Sequence, residues 1–258
     1  MVIPGQLGDC AQDGDQDRVF AWLDAGGDVN DADQQGFTLL CCCACGSHDD
    51  GVIGAPQMAL ARALLARGAD VNRAHSRPED RPPRLTDEET ALHHACANSS
   101  AGALDMINLL IDAKANVNAR NDCDKTPLWR ALNQEARLKY LPDRAQYGLR
   151  LRHVLDIVRM LLRHGALLDS ASFVEGKLAT YKHTDDETVV AIKTLIAGVR
   201  KHGTYQKYMR APHREFLAVR GLAQRCKLRT DHPVLAFLAK QGDNGIVWHI
   251  LTYWRPTE

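Results

Sequence analysis

The sequence predicts an all-α solenoid built from repeated helix pairs, and three observations carry that prediction. One phrase recurs: Thr126-Pro127-Leu128-Trp129-Arg130-Ala131, with a close copy at Thr90-Ala91-Leu92-His93-His94-Ala95 and a worn one at Thr38-Leu39-Leu40-Cys41-Cys42-Cys43. A second phrase follows each, at Gly68-Ala69-Asp70-Val71-Asn72, Lys114-Ala115-Asn116-Val117-Asn118 and Gly165-Ala166-Leu167-Leu168-Asp169. It also stands early in the chain as Gly26-Gly27-Asp28-Val29-Asn30. Between the phrases lie apolar residues at helical spacing, such as Leu60, Leu64, Leu65 and Ile107, Leu110, Ile111.

The phrases have a physical meaning of their own. Thr is a good helix N-cap, because its hydroxyl accepts a bond from an unpaired amide of the first turn. Pro127 follows Thr126 at the first helical position, where its missing N–H costs nothing. The Gly of the second phrase suits the left-handed residue that ends a helix. Each unit is then two short helices and a turn. No unit of that size buries its apolar face alone, so the units must stack.

Together the phrases resemble the T-P-L-H-x-A and G-A-D-V-N signatures of the ankyrin repeat, and the resemblance covers residues 1 to 203. It implies a repeat of about 33 residues, roughly 24 from Thr to Val and roughly 9 from Val to the next Thr. Val29 to Thr38 and Val117 to Thr126 both span 9. Thr90 to Val117 is 27, an excess of 3; Thr38 to Val71 is 33, Val71 to Thr90 is 19 and Thr126 to Leu168 is 42, with excesses of 9, 10 and 18. The extra residues fall between the phrases, as solenoid insertions should.

The expected repeats are 5–35, 36–88, 89–124, 125–169 and a degenerate 170–203, followed by a separate segment, 204–258. Repeat one lacks the Thr-Pro phrase; Gly5 stands where its Thr would be, 24 before Val29. Repeat two carries a Gly-rich insertion around Ser47 to Gln57, expected to be flexible. The stretch from His75 to Glu89, with Pro78, Pro82 and Pro83, reads as an enlarged finger loop. Repeat four holds the largest insertion, Gln134 to Arg150, read as a lengthening of both helices into a protruding hairpin. Repeat five keeps an apolar stripe of Val189, Ile192, Leu195, Ile196 and Val199 behind Asp185, Asp186 and Glu187, where the helix dipole favours acids. It would cap the stack. Three short helices are expected beyond it, near 213–228, 233–240 and 245–254, packing their aromatic residues onto the last repeat.

Composition excludes several classes of function. Lys plus Arg and Asp plus Glu both number 32, so no global charge points to nucleic acid or a membrane surface. No apolar run reaches the length of a membrane span, and Met1 to Cys10 lacks the basic start and apolar core of a secretory leader. Eight cysteines, four of them crowded at Cys41, Cys42, Cys43 and Cys45, do not form a secreted disulfide framework. A reducing cytosol or nucleus is the expected home.

No motif asks for catalysis. There is no nucleophile elbow, no phosphate loop and no H-E-x-x-H. Cys41 and Cys45 share a helix face with His48 nearby, but no second ligand pair accompanies them, so no metal or cofactor is expected. Cys10, Cys43 and Cys96 occupy slots the family fills with Ala and read as buried fillers. His93 matches the family's repeat His, whose ring bonds the turn of a neighbouring repeat. Trp129, in the equivalent slot of repeat four, reads as a packing residue.

The resemblance implies a non-catalytic module binding an unidentified protein partner through a concave groove, with no small-molecule substrate. The candidate contacts are Phe37, Glu89 and Lys125, the variable residue before each Thr, with Cys42, His94 and Arg130 on the helices. Arg77, Arg81 and Arg84 in the long finger would extend the patch. The basic stretch 200–229 has three readings: a solvated helix face, a site for nucleic acid or anionic lipid, or a ligase-recruiting segment. For the last, Gly221-Leu222-Ala223-Gln224-Arg225-Cys226 is similar to the core of the SOCS box, which implies a substrate receptor of a cullin-type ubiquitin ligase. The Leu-Pro-Leu-Pro cullin segment of that family is absent.

Overall fold

The computed structural model describes residues 3, 5–47, 49, 51–75, 88–133, 144–168 and 187–211. Arg77, Arg81 and Arg84, the first part of the repeat-four insertion and the three tail helices expected after residue 212 lie outside them, as does the 221–226 segment. Contacts divide the chain into two compact units, Met1–Ile196 and Ala197–Glu258.

In the first unit the helices come in pairs. They are α1 (Gly5–Asp13) with α2 (Gln16–Asp24), α3 (Leu39–Cys45) with α4 (Ala55–Ala66), α5 (Ala91–Cys96) with α6 (Ala103–Asp112), and α7 (Pro127–Leu132) with α8 (Arg144–Arg163). The first helices stack on one another in the order α1, α3, α5, α7, and α4, α6 and α8 pack successively beside them. Among the described residues there is no strand, only isolated antiparallel bridges at Ala32–Thr38 and Ala74–Thr90. Leu39, Leu60, Leu64, Leu92, Met106, Ile107, Leu110, Leu128 and Leu132 are fully buried, which is the continuous core that single helix pairs lack. A further helix, α9 (Glu187–His202), spans residues of both units and buries Val189, Ile192, Leu195, Ile196 and Val199. Within the second unit the ring of Tyr208 lies over Gly198, where a Cβ would sit 2.2 Å from a ring carbon.

The capping chemistry follows the phrases. Thr38 Oγ1 accepts the Cys41 N–H at 3.2 Å, and Thr126 Oγ1 accepts the Trp129 N–H at 3.2 Å. At Thr90 the His93 ring closes the cap: Nδ1 accepts the Thr90 N–H at 3.2 Å and lies 2.9 Å from Thr90 Oγ1. With Nδ1 accepting, the ring proton belongs on Nε2, which donates to the Lys125 carbonyl of the next repeat at 3.1 Å. Helix ends turn through left-handed residues at Gly26, Gly68 and Gly165, and Lys114 holds the same conformation at φ 70° without being glycine.

The solenoid is laced along both edges. On one, the Asn that ends the second phrase in its first three copies bridges to the following repeat. Asn30 Oδ1 accepts from Asp70 N at 2.7 Å, Asn72 Oδ1 from Asn116 N at 2.6 Å, and Asn118 Oδ1 from Leu167 N at 2.8 Å. Each amide nitrogen donates forward as well, to Gly68 O, Lys114 O and Gly165 O at 3.4, 3.2 and 3.1 Å. On the other edge each repeat reaches back to the helix turn before it. Gln57 Nε2 donates to Gln12 O at 2.7 Å, Asn98 Nδ2 to Cys45 O at 3.0 Å and Gly51 O at 2.7 Å, and His153 Nδ1 to Ser99 O at 2.8 Å. Asn72→Ala, which deletes two solvent-exposed bridging bonds, should lower stability by about 1 kcal/mol in urea denaturation. A loss below about 0.3 kcal/mol would mean that water replaces both bonds.

One expectation about the insertions is corrected and another is met in part. The Gly-rich insertion of repeat two, expected to be flexible, forms a bonded loop over its described residues. Ser47 N–H donates to Val52 O at 3.0 Å and Ile53 N–H to Ser100 Oγ at 3.3 Å, and Ile53 is buried. Asn98 from the next repeat donates to the Gly51 carbonyl of the loop and to Cys45 O at the end of α3; in a solvated loop the Gly51 carbonyl would take its bond from water. In repeat four, α7 ends at Leu132 with Asn133 as its cap, so the first helix is not lengthened as expected, whereas the second is: α8 begins at Arg144, with Tyr147 and Leu151 buried. The expected hairpin tip, 134–143, lies outside the described residues.

Candidate functional site

The side of the solenoid made by the fingers and the first helices carries most of the candidate contacts, and each finger is closed in the same way. Asp33 Oδ1 accepts the Phe37 N–H at 2.8 Å, and Asn121 Oδ1 accepts the Lys125 N–H at 2.9 Å. His75 Nδ1 accepts the Glu89 N–H at 3.1 Å. Backbone bonds run alongside, from Asp33 N to Phe37 O at 2.9 Å, His75 N to Glu89 O at 2.9 Å and Asn121 N to Lys125 O at 3.1 Å. The residue before each finger's last position is left-handed: Gly36 at φ 93°, Glu88 at 55° and Asp124 at 58°. The long finger therefore departs from and returns to the same closing pair as the short ones.

This geometry positions the residues in the variable slot. Phe37 is half-buried, with its ring stacked on His75 at 4.7 Å and 7° and tilted against His94 at 5.3 Å. Lys125 is half-buried, its Nζ 5.5 Å from the centre of the Trp129 ring. Trp129 itself is buried, in line with the packing role read from its slot. Glu89 behaves differently. It is 0 % exposed, with Oε1 2.8 Å from Arg130 Nε and Oε2 3.8 Å from His94 Nδ1. Asn121 Nδ2 donates to Oε1 at 3.5 Å.

Burial revises three expected surface contacts. Cys42 is 1 % exposed, His94 8 % and Glu89 0 %, so these side chains line the underside of the surface and do not form it. The reason for Cys42 is that α3 is short and packed on both sides, by α1 and α5. Glu89 is enclosed beneath Arg130, which pairs with it and is 15 % exposed, and His94 lies beside the same carboxylate under the Phe37 ring. Phe37, Lys125 and Arg130 keep partial access to solvent.

Four buried cysteines, Cys41, Cys42, Cys43 and Cys96, are chemically quiet. Burial pushes the Cys41 thiol up to about 11 and raises Cys42, Cys43 and Cys96 further. Such thiols stay protonated and serve as small apolar fillers. Among the described residues no group of three or more His, Cys, Asp or Glu is placed to hold a metal ion. No helix among them is long and apolar enough to cross a membrane.

Sequence reasoning missed the finger-closing residues, although a signal was present. Asp33, His75 and Asn121 each lie four positions after the Val of the second phrase, at Val29, Val71 and Val117. Counting back from the next Thr hides His75, because the insertion intervenes. No curated protein matches the chain. A family model described as ankyrin repeats (3 copies) matches residues 7–120 and again 55–172, well over half of the chain. Paired helices, left-handed helix ends and matched spacing agree with it, and the chain belongs to the ankyrin-repeat family.

Proposed function

We propose that the chain is a non-catalytic scaffold that binds a partner protein through its fingers and first helices. Ankyrin repeats are generally protein–protein interaction modules. The observation that supports this side is its preorganisation: each finger is closed by a side-chain acceptor, and the slot residues above it are held by ring stacking or ion pairing. A surface already ordered loses little entropy on binding, so a few anchors suffice for affinity. Phe37 and Lys125 are the proposed anchors, with Arg77, Arg81 and Arg84 of the long finger extending the patch. The crowding of Cys41, Cys42, Cys43 and Cys45 within one short helix, unlike a secreted disulfide framework, supports a reducing compartment, cytosol or nucleus.

Affinity capture with the full chain tests the reading. Lys125→Glu combined with Phe37→Ala should deplete captured partners at least tenfold, whereas Arg152→Glu with Arg159→Glu on the exposed face of α8 should leave them unchanged. Loss with the α8 variant alone would move the working surface to the second helices. Circular dichroism on each bait separates lost binding from lost folding.

A further inference from the structure

We propose that Glu89 and Arg130 form a charge clasp that locks the start of repeat three to the first helix of repeat four. Arg130 then serves the scaffold before it serves any partner. The Glu89 carboxylate is 0 % exposed. A buried carboxylate is costly unless charge and hydrogen bonds compensate it. Compensation here comes from two directions, Arg130 Nε on α7 at 2.8 Å and Asn121 Nδ2 from the following finger at 3.5 Å, with the His94 ring on α5 alongside at 3.8 Å. Glu89 itself is fixed through its backbone, by the His75 bonds on one side and the start of α5 on the other.

Glu89 and Arg130 therefore belong to successive repeats, and separating those repeats strands the carboxylate. The two partners are unequal. Arg130 keeps a route to water at 15 % exposure, while Glu89 has none. The same slot in the neighbouring repeats holds Phe37 and Lys125, both half-buried where Glu89 is fully enclosed. The clasp is thus a local feature of this chain at one junction of the stack.

The inequality makes the test specific. Native-state hydrogen exchange on the full chain would follow amides in α5 and α7 for Arg130→Met, Glu89→Gln and the double variant. Arg130→Met should raise the local opening constant about a hundredfold, since it leaves a buried charge unpaired. Glu89→Gln should raise it about tenfold or less, because Arg130 can turn to solvent and the amide still accepts from it. The double variant should return to within about tenfold of the native chain, so that the second substitution rescues the first. If Arg130→Met does not fold, recovery of folded protein on adding Glu89→Gln supports the clasp equally, and failure to recover it counts against the clasp. A double variant as open as Arg130→Met, or more open, overturns the clasp.

Discussion

Lowering the pH from 7 to 4 is expected to remove about 3 kcal/mol of stability through His93. The ring is buried between Thr90 and the Lys125 carbonyl, and burial pulls its value from 6.5 down to about 4. The nearby Arg130 and His75 push the same way, and backbone bonds to Lys125 and Ala119 oppose them. An unfolded chain takes up the proton as pH falls through 6.5, whereas the folded chain takes it only near 4. Between these values the unfolded state binds more protons. The His93 contribution to stability is therefore complete above pH 6.5, declines from there to pH 4 and is flat below. Urea midpoints across this range should show the decline in the native chain and a much weaker one in His93→Gln. An amide at this third helical position still accepts the Thr90 N–H, as in a capping box, and carries no titrating proton. Equal declines in both proteins would remove His93 as the source.

Two glycine-to-alanine changes should move stability in opposite directions. Gly102→Ala is expected to cost about 3 kcal/mol, and Gly148→Ala to add about 0.5 kcal/mol. Gly102 has ordinary helical dihedrals, φ −75° and ψ −8°, so conformational freedom is not its reason for being glycine. Its reason is contact. A methyl there would lie 2.0 Å from the Ile53 carbonyl oxygen and 2.9 Å from its carbon, across the turns of two successive repeats. Ile53 is buried and its N–H is tied to Ser100, so the backbone has nowhere to retreat. Gly148 lies inside α8 with nothing within 4 Å of its Cβ position, and there alanine only relieves the entropic penalty of glycine in a helix. Thermal or urea denaturation decides it. If both changes were neutral, the turn-to-turn contact would be looser than the structure shows.

The parts of the fold that were legible in the sequence are those set by local backbone chemistry. Thr38, Pro127 and the glycines of the second phrase announce helix starts and ends through capping and left-handed geometry, and the structure follows them. Cys43 and Cys96 in alanine slots were readable as fillers because the slot itself fixes their size and burial. The candidate surface was less legible. Phe37, Glu89 and Lys125 share one slot, yet the burial of Glu89 depends on Arg130, 41 positions later, and no local pattern encodes that pairing. The loop after α3 failed for a similar reason. Its glycines promise freedom, while Asn98 from the following repeat takes it away.

The shared closure of the fingers separates loop length from scaffold geometry. Three residues lie between Asp33 and Phe37 and between Asn121 and Lys125, against thirteen between His75 and Glu89. The closing bonds are nevertheless alike. Lengthening a closed loop from three residues to thirteen costs only about 1 kcal/mol in chain entropy. The closing pair thus works as a socket. Loops of different length and charge can be exchanged at it while the helices behind keep their register, so recognition can diversify at the fingers without renegotiating the core.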